Sequence, residues 1–386
     1  MKTIELPLSP DQEMLHSTSA RFAETEWPVE SVRAGVGEDR AEELESYTRQ
    51  AAELGWSALL VPEEFGGTAV SGSGLSDAVV VAIERGRTWQ PGPFISTNVV
   101  ADALTRGVCG DELRKVALEF TDGNSLACWT LTDPMVDAMP GLGVRWEPDG
   151  DGYVLNGVAR IVEHAELASW VLVAANNERG ELHFLLPLST TGVTLTPLES
   201  IDVTRRYQRM SFDKVRISGS ALVGEPENGL GLAERGLQVA AVLSVADMVG
   251  AMTADFAMAV EYAKNRIAFG RPIGSFQSIK HLLAETSLLV EESKAILSAA
   301  VRADGTNDAS KLASIAKAFV SDSAIDVGQN CFQVFGGIAF TWEHNHHLFM
   351  RRMTMEAALY GDSTWHRERL CTLYGLGGDG LGGGVS

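Results

Sequence analysis

The sequence predicts a multi-domain α+β protein, helical at both ends with a compact β domain between them. Three changes of texture predict it. Apolar positions recur at helical spacing up to about residue 122. Short runs rich in Val, Leu and Thr, bounded by Gly, Pro, Asn or Asp, fill residues 123–222. Long helical patterns return from 223 to 376.

The N-terminal region, 1–122, shows its helical period in SYTRQAAELGWSALL and LSDAVVVAIERG, with the loop PEEFGG between them, marked by Pro62 and its paired glycines. In the middle region GYVLNGVARIV, SWVLVAA, LHFLLPL and GVTLTPL read as strands, and EPDGDG and NNERGE as hairpin turns. In the last region a helix is expected from near Leu230 to Arg266, uninterrupted by proline and apolar on nearly all sides, so it should be buried in a bundle or at an oligomer interface. Three further helices, Phe276 to Ala303, Ser310 to Phe335 and Asn345 to Tyr360, complete an expected four-helix bundle. The glycine-rich tail, 377–386, is expected to be flexible.

The chain has 386 residues and a formal net charge of −20, from 51 acidic and 31 basic residues. That charge argues against a general nucleic-acid or anionic-membrane binder, but leaves room for an anionic ligand on a local basic patch. Cys109, Cys128, Cys331 and Cys371 are widely spaced, which fits a reducing compartment better than a disulfide framework. MKTIELPLSPDQ has no apolar h-region, and no uninterrupted apolar run reaches membrane length, so a cytoplasmic protein is expected.

Several stretches, in order along nearly the whole chain, resemble the acyl-CoA dehydrogenase family. YAKNRIAFGRPIGSFQSIKHLLAE (Tyr262 to Glu285) is similar to its R-x-x-F-G-x-x-I-x-x-F-Q-x-x-x-H signature, and QVFGGIAFTWEHNHHLFMRR (Gln333 to Arg352) to its Q-x-x-G-G-x-G-x-T-x-E segment. VPEEFGG resembles P-E-E-Y-G-G, and Leu131 to Pro134 stand where the family has T-E-P. The resemblance implies the family's fold, a helical domain, a β-barrel-like domain and a four-helix bundle, with FAD held between subunits. It implies that Arg266, Phe269, Gln277, Gln333, Gly336, Gly337 and Ser363 contact FAD, and that Thr132 lies near the flavin. The chemistry is consistent: a guanidinium fork matches phosphate oxygens, and a Gly-Gly pair lets backbone N–H groups approach an anion. The implied partners are an acyl-CoA substrate, further subunits as a homotetramer or an α2β2 heterotetramer, and electron-transfer flavoprotein as acceptor. The histidines around His344 fall in a non-metal segment of the family, so no metal is expected.

The family's reaction removes an α-proton with a carboxylate while a hydride leaves the β-carbon for the flavin, and the carboxylate works in a dry pocket where desolvation raises its pKa. One family position for that base is Gly361 here, and the other is Ala240. Asp247 lies seven residues after Ala240, two turns on along nearly the same face of the helix. Ala246 to Gly250 resembles an A-E-x-V-G segment of actinobacterial relatives associated with steroid side-chain breakdown. Asp247 is therefore the candidate base, with a buried structural carboxylate as the competing reading and Asp362 as a weaker rival. Other departures from the family fall on the β domain: Met135 to Met139 replace G-x-G-S-D, and Ile161-Val162-Glu163 replace W-x-T. Ala339 also replaces a glycine. Two functions follow: an active FAD-dependent acyl-CoA dehydrogenase, or a non-catalytic subunit that supports a partner's FAD.

Overall fold

A computed structural model describes residues 8–35, 40–106, 110–121, 123, 125–131, 143–225 and 229–376. Among the described residues six helices come first: α1 (Pro10–Glu26), α2 (Val29–Ala34), α3 (Ala41–Glu53), α4 (Gly74–Arg87), α5 (Phe94–Arg106) and α6 (Asp111–Thr121). Helix α1 opens with a capping box, in which the Ser9 side chain accepts from Gln12 N–H and the Gln12 side chain accepts from Ser9 N–H. The PEEFGG stretch is a single 3-10 turn, Glu63–Phe65. Gly66 ends it at φ +78°, and the next residue, Gly67, lies against backbone, since a Cβ there would be 1.7 Å from the Val61 carbonyl oxygen.

Among the described residues eight strands form one sheet: β1 (Ala127–Thr130), β2 (Gly143–Asp149), β3 (Gly152–Glu163), β4 (Trp170–Asn177), β5 (Gly180–Pro187), β6 (Val193–Leu198), β7 (Tyr207–Ser218) and β8 (Leu222–Val223). Their order is β6-β7-β3-β2-β4-β5-β8, with β1 added parallel to β4. Both expected hairpins are present. Gly150, at φ +64°, turns β2 into β3, and the β4–β5 ladder closes at Asn177 opposite Gly180. Strand β7 was not singled out from the sequence, because charged residues interrupt its apolar alternation. It is twelve residues long and pairs with both β3 and β6.

Helix α7 (Gly229–Asn265) has 37 residues, about 55 Å at 1.5 Å per residue. Length and composition alone would let it cross a membrane, but its most apolar stretch is 94% buried inside the protein as a core helix. A β9–β10 hairpin (Ile267–Ala268, Arg271–Pro272) leads to α8 (Gln277–Arg302), α9 (Ala309–Phe335) and α10 (His346–Ala358). The bundle expected from the sequence is therefore present, with ends moved by one or two residues. A fifth helix, α11 (Ser363–Leu373), follows within the stretch read as helical but beyond the four helices named from the sequence. Asp362 caps it, its Oδ1 accepting from Trp365 N–H at 2.7 Å.

Helices α4 and α7 cross with their backbones nearly touching. A Cβ at Gly86 would meet the Asp247 carbonyl oxygen at 1.9 Å, and one at Gly250 would meet the Ile83 carbonyl oxygen at 2.0 Å. Neither backbone can move away without opening the core, so Gly250→Ala should destabilise the fold by about 2 kcal/mol or more through overpacking. Denaturant unfolding measures this, and an unchanged midpoint would contradict it.

Helix α1 is fastened to α4 by charge. His16 Nε2 lies 3.0 Å from Glu84 Oε1, Arg87 Nε donates to Glu84 Oε2 at 2.7 Å, and Arg87 Nη2 reaches Glu24 at 2.9 Å. The hydrogen bond to Glu84 raises the His16 pKa above 6.5, with burial opposing it. Burial pushes Glu84 up, but His16 and Arg87 together hold it below 4.5. The His16 contribution is then complete below pH 6.5 and disappears as pH rises through its folded pKa. The Glu84 contribution is present above pH 4.5 and disappears as pH falls. His16→Gln should flatten the loss of stability on the alkaline side of pH 6.5, as read from unfolding midpoints across a pH series.

Candidate functional site

The sheet meets the helices at a buried cluster of charges. The segment before β7 contributes Asp202 and Arg205, the end of β3 contributes Glu163, α7 contributes Ser244 and Asp247, and α10 contributes Arg352 and Glu356. Each of these seven is at most 7% exposed. Arg205 Nη2 donates to Asp247 Oδ2 at 2.5 Å, and Arg205 Nη1 lies 3.1 Å from Glu163 Oε1 and also pairs with Glu356. Arg352 Nε donates to Asp202 Oδ2 at 2.8 Å, and its Nη1 is 3.4 Å from both Asp247 oxygens. Ser244 Oγ donates to Glu356 Oε2 at 2.5 Å.

Lys317 on α9 is fully buried nearby. It donates to the carbonyl oxygens of Glu356 (2.8 Å) and Ala357 (3.2 Å), the last turn of α10, where a cation suits the helix end. Burial pushes Glu356 up to about 7 against the pull of Arg205, and pushes Lys317 down to about 8 against the pull of Glu356. Burial also acts to raise Asp202, but Arg352 and Arg205 outweigh it and hold that carboxyl below its ordinary value.

Asp247 is thus brought into the interior with both carboxylate oxygens facing guanidinium groups. Ala240, one of the family's base positions, is fully buried in α7. The other position, Gly361, sits at φ +91°, and a Cβ there would lie 2.5 Å from Trp365 Cε3 and 3.0 Å from His366 Nε2. A glutamate therefore has neither the backbone conformation nor the space at this position. Asp362 is occupied as a helix cap.

The residues expected to contact FAD gather at the far end of α7. Arg266 is exposed where the helix ends, and its N–H still bonds to the Tyr262 carbonyl oxygen at 2.8 Å. Tyr262 packs edge-on to Phe335 (ring centroids 5.4 Å), which brings the Arg266 segment beside Gly336 and Gly337. A Cβ at either glycine would meet nothing within 4 Å, so this backbone faces open space. Gln277 and Gln333 are exposed on the same two segments. Phe269 is 95% exposed at φ +52°, and Phe340 is 80% exposed. Such an open, apolar rim with a guanidinium and two amides fits a cofactor and a neighbouring subunit. Ser363 stands apart from it at the start of α11, its Oγ 3.4 Å from Arg367 Nη1.

Thr132 and Met135 to Met139 lie outside the described residues. In the segment that replaces W-x-T, Glu163 turns inward to Arg205. The histidines near His344 are used locally: His346 Nδ1 is 2.9 Å from Asp255 Oδ1, and His347 Nε2 is 3.1 Å from the Trp342 carbonyl oxygen. Sequence reasoning missed Arg205, Glu356 and Lys317. Their signal is faint: single charges inside apolar helical runs, as in ASIAKAFV and MTMEAAL, or beside a strand.

Removing one arginine from this cluster strands a buried carboxylate. Arg205→Ala should cost about 3–5 kcal/mol, whereas Asp247→Asn, which leaves a hydrogen-bonding group, should cost less. Equal midpoints for the two variants in denaturant unfolding would contradict the clamp.

The chain matches the acyl-CoA dehydrogenase N-terminal domain over residues 9–117 and the acyl-CoA dehydrogenase C-terminal domain over 227–372. It is 29% identical over 349 residues to acyl-CoA dehydrogenase IpdE2 of Mycobacterium tuberculosis, covering 90% of this chain and 92% of that protein. It is 30% identical over 355 residues to the mitochondrial short-chain specific acyl-CoA dehydrogenase of Bos taurus, covering 89% of this chain and 84% of that one. Its fold superposes on a chain of the ChsE4–ChsE5 complex of Mycobacterium tuberculosis with a TM-score of 0.84 at 21% identity, covering 97% and 99% of the two chains. This chain belongs to the acyl-CoA dehydrogenase family, a family of FAD-dependent oxidoreductases.

Proposed function

We propose that this chain is a subunit of a FAD-dependent acyl-CoA dehydrogenase that desaturates the α,β bond of an acyl-CoA thioester. Within that oligomer we assign it the supporting half, which completes a neighbour's flavin site and supplies no base. The observation that carries this reading is the clamp of Arg205 and Arg352 on Asp247. A general base must present a free oxygen to the proton that it removes. Both Asp247 oxygens face guanidinium groups, and Gly361 has no room for a side chain.

Bound FAD would supply the hydride acceptor. Arg266, Gln277, Gln333 and the Gly336-Gly337 backbone would hold it from the neighbour's side, where the exposed rim has the donors and the open space for it. The residues at this chain's own sheet fit a flavin less well. Where the family's W-x-T packs the ring, Glu163 is buried and paired with Arg205. A homologous partner in an α2β2 heterotetramer would then carry the complete flavin pocket and the base, and the fold likeness to a chain of a two-component complex supports that arrangement. We further propose a bulky acyl group such as a steroid side chain as substrate, electron-transfer flavoprotein as acceptor, and the cytoplasm as location.

The second reading is a self-sufficient homotetramer in which Asp247 is the base. Its support is the place of Asp247 on α7, two turns beyond Ala240 in the dry interior.

Purification of the chain alone and with a co-expressed homologous partner separates the two, with the visible flavin spectrum as readout. The expected result is no flavin on the chain alone and half a flavin per chain in the complex. One flavin per chain on the isolated protein, with acyl-CoA turnover abolished by Asp247→Asn, would establish the second reading and overturn the first.

A further inference from the structure

The glycine turn of the exposed rim is tied down at both ends by one buried carboxyl. After α9 ends at Phe335, Gly336–Phe340 form a 3-10 turn in which only Ala339 is buried. Gly336 N–H still bonds to the Phe332 carbonyl oxygen, and Thr341 N–H closes the turn on the Ile338 carbonyl oxygen at 3.0 Å. Asp255 of α7 is fully buried, and His346 Nδ1 lies 2.9 and 3.0 Å from its two oxygens. His346 is the first residue of α10 and is 1% exposed. The thiol of buried Cys331, on α9, faces the same carboxyl. Cys331 precedes the turn and His346 follows it, so a single side chain of α7 meets the chain on both sides of the glycines. The neighbouring Asn345 is held as well, by Arg33 of α2. Rings carry the hold onward. His346 packs against Phe335 (centroids 5.3 Å) and Phe332 (5.8 Å), and Phe332 packs edge-on against Phe340 at the end of the turn (4.6 Å).

We propose that Asp255 and His346 are positioning residues for the cofactor rim. By tying α9 and α10 to α7 they set where the Gly336-Gly337 backbone presents its N–H groups to a neighbour's FAD, a role that rests on the reading of the rim given above. Both are buried, so they act through the turn and not by touching the cofactor. A packing role alone would be met by apolar side chains, because a buried ion pair adds little net stability over well-packed hydrophobic groups of similar volume. What the pair adds is direction, since a hydrogen bond fixes how the ring is turned. The other ring nitrogen, Nε2, is buried with no hydrogen-bond partner among the described residues, so Asp255 is what orients the ring. A glycine pair has no side chain with which to find its own place, and the aim of its N–H groups depends on the flanking supports.

The test uses whichever assembly carries flavin, the chain alone or with its co-expressed homologous partner. Flavin is removed, and the FAD dissociation constant is read from flavin fluorescence on rebinding. Asp255→Leu/His346→Phe replaces the pair by apolar groups of similar volume. The expected result is an unfolding midpoint that is kept or raised, with FAD affinity lowered about tenfold. Asp255→Asn keeps the volume and a hydrogen bond to the ring, and should hold affinity within about twofold of the original. Unchanged affinity in the double variant overturns the proposal. So does affinity that falls only in step with the unfolding midpoint, as a purely structural pair would give. If the double variant does not assemble, His346→Gln, which can still donate to Asp255 but lacks the ring, is read in the same way. Arg266→Ala tests the rim itself. If it leaves FAD affinity unmoved, the rim reading fails and this proposal with it. If it lowers affinity and the double variant does not, this proposal alone fails.

Discussion

Two buried arginines hold the sheet to the helices, and much of the interior is arranged around them. A guanidinium cannot lose its proton in a protein, so a buried arginine must be met by acceptors, and a carboxylate also offsets its charge. Arg205 and Arg352 are met by Glu163, Asp202, Asp247 and Glu356, drawn from β3, α7, α10 and the segment before β7. Buried Arg85 and Lys317 lie close enough to act on the same carboxylates. Burial raises the pKa of Glu356 against the pull of Arg205. The cluster fixes how β3 and β7 sit against α7 and α10.

Helix α7 links this interior to the surface. Its middle is pressed against α4 at Gly86 and Gly250, so that the Asp247 backbone is held from one side by a helix and its side chain from the other by arginines. Nineteen residues further on, about 28 Å along the axis, Arg266 emerges at the exposed rim with Phe269 and the Gly336-Gly337 backbone. One rigid element thus joins a closed, ion-paired core to an open surface suited to a cofactor and a neighbour.

Much of the fold was legible in the sequence. The change from a period near 3.6 to a period of 2 and back marks the three regions, because each kind of element can bury only one kind of pattern. The open rim was legible too, since Arg266, Gln277, Gln333, Gly336 and Gly337 lie in short contiguous motifs whose geometry is local. Helix α11 was not singled out, because its start depends on the Asp362 cap and its sequence, STWHRERLCTL, shows little apolar periodicity. Strand β7 was hidden by Arg209, Asp213, Lys214 and Arg216, all on its exposed side.

By itself the sequence determined the family, the order of helices and strands, and the absence of a glutamate at residues 240 and 361. It also narrowed the search for a buried acid to Asp247. What Asp247 does was left between base and structural carboxylate, because that depends on Arg205 and Arg352, 42 residues before it and 105 after it. A side chain's chemistry is set by whatever folds against it, and such long-range pairings leave no periodic trace in the chain. Only the tertiary structure brought both guanidinium groups onto one carboxylate.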